Sequence, residues 1–426
     1  MKGVRAERSD LVTASHARRE ETGARRPQIV VAGVVLLAFT LNFGAYRVFG
    51  DGVDYYSFLQ RLFGERSTGS GYNFGVGLMN APFFAVAKGV HLLVRSGSLA
   101  THVEPASITI ASICYAVVAF AVSVWLVAQL GLPHAASSAL AAVFGSPLWY
   151  YASFSPSYSH AADAAAFSAA AAGLYLLLQS PALRWRLLTG AALGLAVAVR
   201  PFNAALIVGL CIALVVIRRV GDAAKIVAAA AATFGMLVVV PLALGTGLET
   251  RANGERLGTH TLFAPLNPLR ILFTLHRGLF LWTPATLLAV IGIALLLRRR
   301  DPARLYVGLL TSMVAALLCA YSTFGVWDAG WSFSARYLAA PIPFYAIGIS
   351  SLLGAGSRRI HRVTACATVV TVAFSVFLGM NHAFGASQAD GANNIVGYYF
   401  SGKRTIGDFF HLTWSYSRVR HLVHAG

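Results

Sequence analysis

The sequence predicts an all-α polytopic membrane protein of about eleven transmembrane helices, with amphipathic surface helices in the first external loop. Three observations predict it. The chain is 57% hydrophobic and 12% charged, too little charge to cover a soluble protein of 426 residues. Apolar runs of about 15–25 residues recur along almost its whole length, each near what a bilayer crossing needs. The arginines gather between those runs, as in "IRRV", "LRRRD" and "SRRIHR".

Taken in order, residues 1–27 read as a flexible basic cytoplasmic leader carrying Lys2, Arg5, Arg8, Arg18, Arg19, Arg25 and Arg26. No small-x-small site follows the first apolar run, so that run is expected to stay as an anchor. One transmembrane domain, 28–383, is expected, with spans at 28–49, 106–130, 134–152, 158–179, 187–200, 202–217, 224–245, 278–297, 304–324, 337–354 and 362–383. Residues 50–105 form the first external loop, 246–277 a second, and 384–426 a short external tail. Within the first loop, Lys88 and His91 leave 74–94 only about 14 uncharged residues, short of the ~20 a span needs. Segments 54–66 and 74–94 are therefore expected to lie along the outer membrane surface. Were 74–94 to cross, 187–217 would have to be one helix kinked at Pro201, with Arg184 and Arg186 outside.

Charge fixes the expected orientation. The four short loops assigned to the cytoplasm hold Arg184, Arg186, Arg218, Arg219, Lys225, Arg298, Arg299, Arg300, Arg304, Arg358, Arg359 and Arg362 against Asp222 and Asp301. The short loops opposite hold only Arg200 and Arg336. That bias is the positive-inside signature. A net charge of +18 does not mean nucleic acid here, because the charge is split among loops and forms no continuous basic face. Cys114, Cys211, Cys319 and Cys366 lie in apolar runs without metal-ligand spacing and read as small buried hydrophobes. A Walker A loop, HExxH and GxSxG are all absent, which argues against an ATPase, a zincin or an α/β-hydrolase.

Chemistry is expected on the external side, where the acids collect. Asp51 sits between Gly50 and Gly52 as the first span ends, and Asp54-Tyr55-Tyr56 follows. A carboxylate at a water–lipid boundary can serve as a general base toward a hydroxyl, or simply cap a helix. His160 and Asp163, three residues apart, share one helix face and form either the wall of a polar site or a packing pair. Arg200, Arg277 and Arg336 stand at the same boundary, where guanidinium forks suit phosphate oxygens. Trp149, Tyr150, Tyr151, Trp282, Trp327 and Trp331 read mainly as an interfacial belt, with Trp331 and the tyrosines 55 and 56 as candidate cavity residues. Asp51 with Asp54 could also hold Mg²⁺ or Mn²⁺ against phosphate oxygens, though two acids define no metal site.

An acid just after the first span, surface helices in the first external loop and many later spans resemble the GT-C class of membrane glycosyltransferases. The stretches are "GDGVDYYSFLQ" with "FGVGLMNAPFF", "YYASFSPSYSHA", "HRGLFLWTPATLLAVIGI" and "WDAGWSFSARYLAAPIPF". The nearer likeness is to bacterial members of the dolichyl-phosphate-mannose-mannosyltransferase-like group. The resemblance implies an inner-membrane enzyme moving a sugar, with inversion, from a polyprenyl-phosphate donor to a glycan, lipid or protein acceptor at the periplasmic face. It gives the base to Asp51, with Asp54 as competitor, and donor phosphate binding to Arg200, Arg277 and Arg336. Two departures stand out: relatives often carry an adjacent Asp-Glu pair where this chain has Asp51-Gly52, and the tail after Asn381 is too short for a folded external domain. A flippase for a lipid-linked glycan, or a non-catalytic scaffold, are the alternatives; polar residues biased to one leaflet favour the enzyme.

Overall fold

The computed structural model describes residues 27–67, 73–94, 98–245, 265–299, 303–324 and 332–383, with side chains from 102 onward in the third of these stretches. Among them no strand occurs. Helices run α1 (Pro27–Phe43), α2 (Gly52–Leu62), α3 (Phe74–Val94), α4 (Ser98–Gln129), α5 (Ala135–Phe144), α6 (Leu148–Ser153), α7 (His160–Gln179), α8 (Leu183–Val199), α9 (Ala204–Val216) and α10 (Val220–Ala243). They continue as α11 (Pro268–Phe273), α12 (Leu279–Trp282), α13 (Ala285–Arg298), α14 (Arg304–Ser322), α15 (Ile342–Leu353) and α16 (Arg358–Ala383), with 3₁₀ turns at Pro201–Asn203 and Arg336–Leu338. Six of the described helices are long and apolar enough to cross a membrane, and five shorter ones are apolar. The protein is an all-α polytopic membrane fold.

Most expected spans fall on helices, and the departures have local causes. The span expected at 134–152 breaks at Gly145-Ser146-Pro147 into α5 and α6, because proline cannot continue the ladder of the preceding turn. The span expected from 337 starts at Ile342, after Pro341 and a 3₁₀ turn. The cysteine expectation fails in part: Cys114, Cys319 and Cys366 are exposed and Cys211 is intermediate. They point away from the bundle, where the apolar surroundings would be lipid instead of protein. The aromatic expectation fails in the opposite sense. Trp149, Tyr150, Tyr151 and Trp282 are buried in the protein core, not spread in a belt, because the short helices α6 and α12 are packed inside the bundle. Trp327 and Trp331 lie outside the described residues, as do the leader through residue 26, most of the 246–277 loop and the tail from 384.

The path around Pro201 is settled by packing. A Cβ on Gly190 would lie 2.5 Å from Ile226 O, and one on Gly194 would lie 3.0 Å from Thr233 Cβ. Helices α8 and α10 therefore run parallel, and α9 between them runs back. Arg186 Nε donates to Asp222 Oδ1 at 2.5 Å and Arg219 Nε to Asp222 Oδ2 at 2.6 Å. Arg184, Arg186, Arg218 and Arg219 thus share one basic end, and 187–217 is not a single kinked helix.

Helix α3, expected along the membrane surface, is one of the six long and apolar enough to cross, and it packs on α2, on the end of α8 and on the first half of α4. The Tyr115 hydroxyl donates to Met79 O, the Phe83 and Tyr115 rings lie 5.8 Å apart, and Lys88 Nζ is 2.8 Å from Glu104 Oε1. At ~1.5 Å per residue, α4 is about 48 Å long against a hydrocarbon core of ~30 Å. Its far end meets α7, where the Tyr175 hydroxyl donates to Gln129 O at 3.2 Å. Its near half meets the end of α1, where Thr109 Oγ1 donates to Ala45 O at 2.8 Å. The α3–α4 hairpin accordingly stands at the end of the bundle opposite the basic one.

Candidate functional site

At that end, the segment between α1 and α2 is clamped onto the α6–α7 turn. Ser157 Oγ donates to Phe49 O at 2.9 Å, and Phe49 N donates to Ser157 Oγ at 3.3 Å. Gly50 adopts φ +57°, and a Cβ there would lie 2.7 Å from Tyr158 Cζ. A Cβ on Gly52 would lie 2.6 Å from Ser157 O. Both glycines are thus demanded by contact, and together they fix where Asp51 stands.

Asp51 faces Arg336: Oδ2 and Nη1 are 3.5 Å apart, with the carboxylate side chain 30% exposed and the arginine side chain 11%. The guanidinium lies over the rings of Tyr158, 5.3 Å to the centroid, and Tyr337, 5.6 Å. Burial, and then the negative charge of Asp51, push the Tyr158 phenol above its usual value while Arg336 pulls it back, so the hydroxyl stays neutral near pH 7. Burial opposes the charge on Arg336, but Tyr337 and Asp51 outweigh it and the guanidinium is held firmly protonated. The segment carrying Arg336 is pinned by Tyr151, which accepts from Phe333 N at 2.9 Å and donates to Phe333 O at 3.2 Å.

A second layer lies behind. Tyr337 stacks on Tyr321, with centroids 4.4 Å apart and planes at 4°. Arg200 packs over both rings, at 5.5 Å and 4.9 Å. Its Nη1 donates to His160 Nδ1 at 2.9 Å and lies 3.7 Å from Asp163 Oδ2. Because a guanidinium only donates, His160 Nδ1 must accept, which assigns the ring proton to Nε2. Asn203 Nδ2 donates to Asp163 Oδ1 at 2.6 Å and to Ala196 O at 2.9 Å, tying the Pro201 turn to α7 and α8. Tyr55 packs against Ala162, and its hydroxyl accepts from Asn73 Nδ2 at 3.2 Å.

Of the residues singled out in the sequence, the structure brings together Asp51, His160, Asp163, Arg200 and Arg336, with Tyr55 at their flank. Asp54 is half-buried in the first turn of α2; the acid that contacts Arg336 is Asp51. Tyr56 turns to another cluster, donating to Glu104 Oε2 at 3.2 Å, where Lys88 and His91 also converge and where Lys88 additionally pairs with Glu65. Arg277 lies over Trp282 at 5.7 Å, beside the Trp282, Phe333, Tyr150 and Tyr151 ring cluster. Sequence reading missed Tyr158, Asn203, Tyr321 and Tyr337. Two of these adjoin a singled-out motif, Tyr158 in "SPSYSH" and Tyr337 directly after Arg336, and that adjacency was the available signal. Among the described residues no group of three or more His, Cys, Asp or Glu is placed to hold a metal ion.

No family model and no curated protein matches the sequence. In structure, the chain is similar to the crystal structure of ArnT from Cupriavidus metallidurans bound to undecaprenyl phosphate. The match has a TM-score of 0.50 at 17% identity and covers 93% of this chain and 77% of that one. At that identity the likeness speaks for the fold alone, an all-α polytopic membrane bundle.

Proposed function

We propose that the protein is a membrane glycosyltransferase that moves a sugar from a polyprenyl-phosphate-linked donor to a hydroxyl acceptor. The observation that carries this reading is the placement of a half-open carboxylate, Asp51, against a buried guanidinium, Arg336, at one end of an all-α polytopic membrane bundle. That pairing supplies both halves of the reaction. The acceptor hydroxyl gives its proton to Asp51 while its oxygen attacks the anomeric carbon. The bond from that carbon to the donor phosphate breaks, the phosphate oxygen keeps the electron pair, and Arg336 stabilises the charge. Attack opposite the leaving phosphate inverts the anomeric centre.

The undecaprenyl phosphate held by ArnT supports a polyprenyl phosphate as the lipid partner. The basic loops at the opposite end support a cytoplasmic location for that end and a periplasmic one for the site, in a bacterial inner membrane. The sugar is a hexose or pentose, mannose-like in the nearer resemblance, and the acceptor an envelope glycan, lipid or protein. If Mg²⁺ or Mn²⁺ takes part, Asp51 is the carboxylate that would hold it; no step above is routed through it.

Proteoliposomes loaded with a panel of radiolabelled undecaprenyl-phosphate sugars and membrane extract as acceptor source test the reading. Label moving from the lipid fraction to a new product is the expected result. Label crossing the bilayer with its lipid linkage intact would overturn the enzyme in favour of a flippase.

A further inference from the structure

Arg336 and Arg200 are both largely buried, and they differ in what meets their donors. Arg200 is closed on His160, Asp163 and two aromatic faces. Arg336 meets Asp51 at 3.5 Å, beyond the length of a formed charge-assisted hydrogen bond. Its Nε is buried and, among the described residues, has no hydrogen-bond partner. Elsewhere the Arg186 and Arg219 Nε atoms sit at 2.5 and 2.6 Å from Asp222, and Arg200, though 3.7 Å from Asp163, closes on His160 Nδ1 at 2.9 Å. At Arg336 the pair is loose, the fork incomplete, and the carboxylate partly open to solvent.

Resting on the reading above, we propose that Arg336 is an exchange residue. Without donor it rests on Asp51; with donor it transfers to the lipid phosphate. A phosphate offers two oxygens to the Nη and Nε donors, which a single distant carboxylate oxygen does not. Losing Arg336 to the phosphate leaves Asp51 without its counter-charge as the donor arrives, free to meet the acceptor hydroxyl. The base is thereby muted in the empty site and active in the loaded one, with Tyr158 and Tyr337 holding the guanidinium in place as it changes partner.

This has a consequence opposite to that of a carboxylate which helps to bind donor. Asp51 competes with the phosphate for Arg336, so Asp51→Asn tightens the binding of undecaprenyl phosphate while transfer is lost. Fluorescence-quench titration of detergent-solubilised protein with undecaprenyl phosphate measures it. Expected is about tenfold tighter binding to Asp51→Asn than to wild type, and at least tenfold weaker binding to Arg336→Gln. Wild-type binding with an unchanged or weaker Asp51→Asn affinity would overturn the exchange and leave the glycosyltransferase reading standing. Failure of wild type and Asp51→Asn alike to bind the lipid would remove both.

Discussion

The two buried arginines of the site make an instructive pair. They share Tyr337, Arg200 standing over Tyr321 and Tyr337 and Arg336 over Tyr337 and Tyr158, and both lie near a carboxylate. Around Arg200, two elements supply partners: His160 and Asp163 from α7, and Asn203, through Asp163, from the Pro201 turn. Around Arg336, among the described residues, Asp51 stands at the edge of contact and the Tyr158 hydroxyl shares a side-chain hydrogen bond, while Nε is left without a partner. A buried charge with every neighbour committed contributes architecture; a buried charge with capacity left over is poised for an anion from outside. The same residue type at the same boundary thus holds two jobs, and environment separates them.

The comparison can be broken from either side, beginning with the larger effect. Asp163→Ala leaves Arg200 buried without its counter-charge and is expected to cost about 3–5 kcal/mol of stability. Thermal unfolding in detergent should show it, and an apolar double replacement of Asp163 and Arg200 should recover much of the loss. An unchanged melting temperature in the single variant would mean that Asp163 is not the counter-charge. Arg336→Gln is expected to leave the melting temperature close to wild type while lowering transfer by roughly 10²–10³-fold, the loss typical of removing one oxyanion-stabilising donor. A large stability loss there would return Arg336 to the structural class. Gly52→Ala forces a Cβ to within 2.6 Å of Ser157 O and is expected to cost about 1–3 kcal/mol through overpacking. It should also displace Asp51, so turnover should fall while lipid binding persists.

How far the sequence reached depends on the range of the interactions involved. Span positions were legible because a lipid solvent demands continuous apolar helices, which leave a period-independent trace. The helical hairpin at Pro201 was legible through the clustering of Arg184, Arg186, Arg218 and Arg219, and the Arg186–Asp222–Arg219 contacts bear it out. Aromatics were misread because Trp149 and Tyr151 have the composition of an interfacial belt, and only tertiary packing tells belt from core. The partners of Arg200 were illegible: His160 lies 40 residues away, and Tyr321 belongs to a helix that meets α9 only through the fold. Asp51 and Asp54 could not be separated by residue type. What separates them is that α2 begins at Gly52, leaving Asp51 on the preceding turn beside Arg336 and Asp54 on the helix itself.

That separation also gives the most direct test of the central claim, that Asp51 is the base. Single-turnover transfer from an undecaprenyl-phosphate sugar should be measured in matched proteoliposomes of wild type, Asp51→Asn and Asp54→Asn. The account predicts a loss of about 10²–10⁴-fold for Asp51→Asn, the usual worth of a general base, and a rate within a few-fold of wild type for Asp54→Asn. Wild-type turnover in Asp51→Asn, or the large loss falling on Asp54→Asn alone, would contradict it.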